Sequence, residues 1–433
     1  MTARTALPAT VDHPRGVPGR MAPVDAMWYW FATKFPTDQF LVYAFAGTAD
    51  VDAAAAQVLE RANASFDLKL RIAPHRWDVT FPRWRIGDVD AGQVVVHTLP
   101  EPTWPAFLQA LARLTDDQLD PRSAAWRLHV YPGLSQVPAT PGESTVVVVQ
   151  MAHPLADGLR SSALAGYLFG RERPLPETGW RRAGGLAGRM MERATQQRQL
   201  ARDVDAGRIP PMSGLVPALS TNNIPTGTRL LRTLATSESE IAGPTVTIGV
   251  LAAISEALSG YLSTRGEDVS QLTAEVLMSR PGMRYAYNHF DAVGIGLHSA
   301  AVSRSERIRL IARELQACRM HRDHPAVVAD ERVFDAVPGP LRRWGVKRLD
   351  PHSRPALVRG NTGVSSVHRG PADLQFGGCP VTLTCGFPAL SSVLGLTHGV
   401  HGIGDTIAVS VNTTSSIIGD FDEYIDRLAV ALR

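Results

Sequence analysis

The stretch that most constrains how this chain can fold is Ser144-Thr-Val-Val-Val-Val149. It is β-branched and continuously apolar rather than alternating, which predicts a buried strand. Directly after it come Gln150-Met151-Ala152-His153-Pro154-Leu155-Ala156-Asp157-Gly158. From Leu159 to Phe169, Leu159, Ala163, Leu164, Tyr167 and Leu168 then recur at helical spacing. The reading is strand, sharp turn, helix, with a histidine at the strand end and an aspartate four positions on. An imidazole with an ordinary pKa near 6.5 can accept a proton at neutral pH and return it. Gly158 is expected to leave room where the turn closes and the helix starts.

With its flanks, this stretch resembles the His-His-x-x-x-Asp-Gly signature of the chloramphenicol-acetyltransferase-like superfamily. That superfamily includes peptide-synthetase condensation domains and bacterial wax ester synthase/diacylglycerol acyltransferases. His153 matches the catalytic second histidine, and Ala152 stands where the first would be. Two further segments extend the resemblance. Met21-Ala-Pro-Val-Asp-Ala-Met-Trp28 is similar to the opening of wax ester synthase-type enzymes, and its residues suit a capped amphipathic helix. Asn361-Thr-Gly-Val-Ser-Ser-Val-His-Arg-Gly-Pro371 resembles the family's Asn-x-x-Val-Ser-Asn-Val-Pro-Gly-Pro segment, with one extra residue. Asn288 falls where the family places an asparagine after a strand and a short polar stretch. Departures stand beside these matches: Ala124-Ala125 precede Trp126 where the family has Pro-Leu, and Thr247-Ile248 replace an Asn-Asp pair at a helix start.

The resemblance implies an α/β fold of two mixed-sheet subdomains with an active-site tunnel between them. The expected boundaries are 21–180 for the first acyltransferase subdomain, 181–225 for a linker and 226–433 for the second. Residues 1–20 are expected to be a leader without periodicity. In the first part, strands are predicted at Leu41 to Phe45, Leu68 to Ile72, Gln93 to Leu99 and Ser123 to Val130, with helices at Val51 to Ala64 and Trp104 to Leu114. In the second, helices are predicted at Val246 to Tyr261, Arg304 to Arg322 and Phe421 to Leu432. The strands there are Arg229 to Leu234, Ala274 to Met278, Val381 to Cys385, Leu394 to Gly399 and Thr406 to Asn412. A Gly-rich turn is expected from Val400 to Asp405. The linker holds one polar helical piece, Gly188 to Arg202.

The same resemblance implies the chemistry. His153 is expected to be the general base that takes a proton from a hydroxyl or amine acceptor as it attacks a thioester carbonyl. The developing oxyanion needs donors in place, and Asn361, Ser365 and Ser366 are the candidates. Trp126 reads first as a core aromatic and second as a substrate contact. His97 reads as structural. Asp157 and Gly158 are expected to shape the loop, with Arg71 or Arg76 as the partner of Asp157.

The donor would be a coenzyme A or acyl-carrier-protein thioester, and no metal or organic cofactor is required. Two readings stand beside an ester-forming acyltransferase: a condensation-type amide synthase and a catalytically silent binding module.

Composition narrows the surroundings. A net charge of +3 over 433 residues gives no basis for nucleic-acid binding. Cys318, Cys379 and Cys385 are too few for a disulfide framework, and no Cys/His cluster has zinc spacing. The longest apolar stretch, Val246 to Leu262, is interrupted by Ser255, Glu256 and Ser259, so no transmembrane segment is expected. A cytoplasmic location is expected, with membrane contact, if any, peripheral.

Overall fold

The computed structural model describes residues 19–73, 80–172, 175–179 and 185–433. Most of the expected leader, and Arg76, lie outside the described residues.

Two six-stranded mixed sheets organise the molecule. The first has the order Gln375–Phe376, Cys379–Gly386, Gln39–Ala46, Ser144–Met151, Trp126–Leu134, Val94–Val96. Its pairings are antiparallel except for the parallel pair of Val94–Val96 with Trp126–Leu134. The second has the order Phe290–Gly296, Thr273–Ser279, Thr362–His368, Thr397–Ile403, Thr406–Thr414, Arg229–Ser237. There the central strand Thr362–His368 pairs parallel with both its neighbours.

The valine run lies in the middle of the first sheet, and both of its faces are covered. Val147, Val149 and Met151 join a core with Trp126, Leu128, Leu164 and Phe169, while Val146 and Val148 pack with Phe107 and Leu111 from helix Trp104–Leu114. Two-sided burial is why the run is continuously apolar. Each such side chain contributes roughly 1.5–3 kcal/mol on burial.

Two sequence expectations are corrected, and one is extended. The expected boundary at 226 does not separate two units, because Cys379–Gly386 from the far end of the chain pairs antiparallel with Gln39–Ala46 in the first sheet. The helical piece expected within the linker at Gly188 to Arg202 is present as helix Leu186–Asp205, and the same stretch adds a short strand, Val216–Pro217, that pairs with Leu357–Val358. The expected turn at Val400 to Asp405 is mostly strand, since Thr397–Ile403 runs through it and turns only at Gly404-Asp405.

Helix Val246–Ser263 has the length and apolar character of a membrane span, with a mean hydropathy of 1.4. It lies inside the second core, where Val250, Leu251, Ile254, Leu258 and Leu262 are fully covered. Its apolar face is used by the fold.

Candidate active site

The strand Ser144–Met151 ends in a single 3-10 turn, His153–Leu155, and helix Gly158–Leu168 starts immediately after it. Asp157 is the N-cap of this helix. Its Oδ1 accepts from the Arg160 amide at 2.9 Å, satisfying one of the free N–H groups at the helix start. Asp157 Oδ2 reaches across to residues 284–289, meeting the Arg284 guanidinium at 2.5 Å and accepting from the His289 amide at 2.9 Å. Asp157 is 2% exposed. The arginine partner is therefore Arg284, and the expected Arg71 instead turns to the Asp88 carbonyl and to Gln93 and Asp90.

A second carboxylate anchors the same segment. Asp25, in the first turn of helix Pro23–Phe31, is 2% exposed and accepts from the Tyr287 amide at 3.0 Å and the Asn288 amide at 2.9 Å. The Asn288 side-chain amide donates to both Asp25 Oδ1 and the His153 carbonyl, each at 2.9 Å. Burial pushes the Asp25 carboxyl up to about 6, against hydrogen bonds from Asn288 and Tyr287 that favour the anion. Arg160 completes the frame. It is fully buried, pairs with Asp67 at 2.5 Å and lies 3.9 Å over the Tyr287 ring.

Within this frame the His153 ring is held flat. It stacks on Trp28 at a centroid distance of 3.7 Å and an interplanar angle of 2°, with Phe290 6.0 Å away. Nδ1 is buried and has no hydrogen-bond partner among the described residues. Burial pushes the imidazole pKa down to about 4; its own backbone carbonyl, Asp157 and Asn288 act in the opposite direction. The ring is thus neutral at neutral pH, with a lone pair available to accept a proton.

The other expected site residues divide. Strand Thr362–His368 approaches the histidine loop closely: a Cβ built on Gly158 would lie 3.4 Å from Val367 Cγ2. Gly158 therefore meets a neighbouring strand, and its backbone does not need the left-handed region. Side chains alternate along a strand, so Ser365 shares the Val367 face towards the histidine loop. Ser366 faces the opposite way and meets Thr247 at 2.7 Å. Asn361 is corrected: its side chain accepts from the Thr273 amide and donates to the Pro217 carbonyl and to Asn222, leaving it no hydrogen to offer an oxyanion. Trp126 follows its first reading, a core aromatic, over its second as a substrate contact. It is fully buried, and its indole N–H donates to the Leu68 carbonyl at 2.8 Å, so it is a core residue.

Sequence reasoning missed Arg284, Trp28 and the anchoring role of Asp25. The Met21–Trp28 resemblance marked the right helix but gave no sign that its far partner was Asn288.

A cavity of about 1460 Å³ has Asn288, Asp25, Trp84, Arg160, Tyr287 and Phe334 among its walls, and His153 is not one of them. Among the described residues, no group of three or more His, Cys, Asp or Glu could hold a metal ion.

No protein-family model and no curated protein matches the sequence. Solved structures do. The chain superposes on the wax ester synthase/diacylglycerol acyltransferase from Marinobacter aquaeolei VT8 with a TM-score of 0.61 at 16% identity, over 95% of this chain and 98% of that one. The starter condensation domain of rhizomide synthetase RzmA is also similar. One of its mutants, in complex with C8-CoA, gives a TM-score of 0.56 at 15% identity, covering 96% of this chain and 95% of that one. Another, with C8-CoA and Leu-SNAC, gives 0.55 at 14% identity with the same coverage. The chain has the fold shared by this wax ester synthase/diacylglycerol acyltransferase and these condensation domains. Within this fold His153 follows the end of a first-sheet strand, 6.0 Å from Phe290 of a second-sheet strand, on a loop fastened to residues 284–289 through Asp157 and Asn288.

Proposed function

We propose that this chain is an acyltransferase, moving an acyl group from a coenzyme A or acyl-carrier-protein thioester to a hydroxyl or amine acceptor. The observation that carries this reading is His153 itself: a neutral imidazole, clamped by Trp28 and the frame around Asn288. Both sets of structural neighbours support acyl-transfer chemistry, since they are a wax ester synthase and condensation domains, some of the latter bound to C8-CoA.

In this reading Nε2 accepts the acceptor's proton as the oxygen or nitrogen attacks the thioester carbonyl. The attack makes a tetrahedral oxyanion and an imidazolium together, so each gains a counter-charge in a site that disfavours either ion alone. Ser365 is the hydroxyl donor on the facing strand. Collapse breaks the carbon–sulfur bond, and the imidazolium returns its proton to the leaving thiolate. Ala152 leaves this scheme intact, because only one imidazole need face the substrate.

The test is intact-mass detection of acyl transfer from a panel of coenzyme A and carrier-protein thioesters to alcohols and amines. His153→Ala should lower turnover by roughly 10²–10⁴-fold while the protein stays folded. Near-normal turnover in that variant would remove His153 from the chemistry. A wild type silent across the whole panel would favour a binding module instead.

A further inference from the structure

The helix Gly339–Arg348 rides on the outside of the molecule against helix Pro23–Phe31. Its inner face buries Gly339, Arg342 and Val346. With about 3.6 residues per turn, the outward face carries Pro340, Leu341, Trp344 and Arg348. A helix packed on one side ordinarily turns polar residues to water there. Here Leu341 is 56% exposed and Trp344 52% exposed, and the Arg348 guanidinium lies 4.2 Å over the indole ring.

The charge carried by this helix has one sign. The helix contains Arg342, Arg343, Lys347 and Arg348 and no acidic residue. Lys34 adds a further cation, because its ammonium donates to the Lys347 carbonyl at 2.9 Å. The chain has only three lysines, and two of them meet here.

We propose that this face docks on an anionic lipid bilayer. Tryptophan and leucine enter the boundary between headgroups and acyl chains, while Lys and Arg reach the lipid phosphates. Ten residues of helix span only about 15 Å, so the element lies on the surface and does not cross it. Charge selects this occupant over a second copy of the chain, since two copies face to face would oppose like-charged clusters. The placement also matters. Phe334, Val337 and Pro338, which line the cavity beside Asn288, lead directly into this helix. Docking would bring the cavity's rim to the lipid surface.

The proposal goes beyond acyl transfer and is tested without any thioester, so the two readings fail separately. The full chain is floated with vesicles of phosphatidylcholine alone and of equimolar phosphatidylcholine and phosphatidylglycerol. Binding is expected to the anionic vesicles only, and salt should weaken it. Each basic residue near such a surface contributes about a fivefold gain in partitioning, so Lys347→Glu/Arg348→Glu should bind at least about tenfold more weakly. Leu341→Ser/Trp344→Ser should lose binding similarly, with both variants melting like the wild type. A wild type that does not float with anionic vesicles overturns the proposal, as does a pair of variants that bind equally well. Sedimentation showing a dimer that these substitutions dissociate, without vesicle binding, would make the face a self-association surface and overturn it too.

Discussion

The Asp157 carboxylate and the Arg284 guanidinium meet at 2.5 Å across 127 residues of sequence, with side chains 3% and 11% exposed. The aspartate next to the candidate base thus faces away from it and ties the histidine loop to the segment that carries Asn288.

Breaking that pair by Asp157→Ala should cost roughly 3–5 kcal/mol, the usual result of leaving a buried charge uncompensated. Thermal or urea unfolding would show it. Arg284→Met should cost a comparable amount, and the double variant less than the sum of the two. Lost activity with unchanged stability would assign Asp157 a direct chemical role.

The pH dependence of catalysis should reflect the depressed pKa of His153. A base works when deprotonated, so activity should fall as pH drops through about 4 in the free protein, not through 6.5. Trp28→Ala removes the stacked indole and admits water. It should raise the imidazole pKa towards 6.5 and move the acid limb of kcat/KM upward. A His153 titration by NMR that is unchanged in this variant would refute the burial account.

Asp25→Ala should act at a distance on His153. It leaves the amides of Tyr287 and Asn288, and the Asn288 side chain, without their shared acceptor. Stranded buried donors cost about 1–3 kcal/mol each, and Asn288 loses its second tether. We expect a lower melting temperature and a fall in kcat larger than any rise in KM for the thioester, measured by steady-state kinetics.

Stability should fall as pH is lowered from 6.5 towards 4. Burial depresses His129, His153 and His289 to about 4 and His398 to about 3, so these rings stay neutral in the fold while the unfolded chain binds protons below 6.5. Their contribution is full above 6.5 and is lost on acidification. Asp25 and Asp38, each raised to about 6, work the other way, losing stability as pH rises from 3.8 through 6. His97 and His401 are lowered too, against one further raised carboxyl, Glu275, so the imidazoles should prevail. Urea midpoints at pH 7, 6 and 5 measure the sign.

The sequence made the elements legible where periodicity and burial agree. The valine run, helix Val246–Ser263 and helix Phe421–Leu432 all lie within a few residues of their expected positions. His153 was legible because its loop has a strand before it and a helix after it. What stayed hidden was long-range pairing. Arg284 lies in a polar stretch with no periodic signal, and nothing local distinguishes it from Arg71 as a partner for Asp157. Asn361 carried the right motif but served the wrong purpose, because its hydrogen-bond partners Thr273, Pro217 and Asn222 come from distant segments. The strand Phe290–Gly296, with three glycine or alanine positions in seven, carries too little β signal to stand out.

The strand Cys379–Gly386 imposes an order of events on synthesis. Until residue 386 has left the ribosome, Gln39–Ala46 is an edge strand with unpaired amides and carbonyls, a template for the wrong partner. The histidine loop also depends on later arrivals, since Asp157 waits for Arg284. A nascent chain stalled midway would hold the reacting residue but not its frame. A separately expressed first half would meet the same obstacle, so the two sheets cannot be exchanged between relatives as independent cassettes.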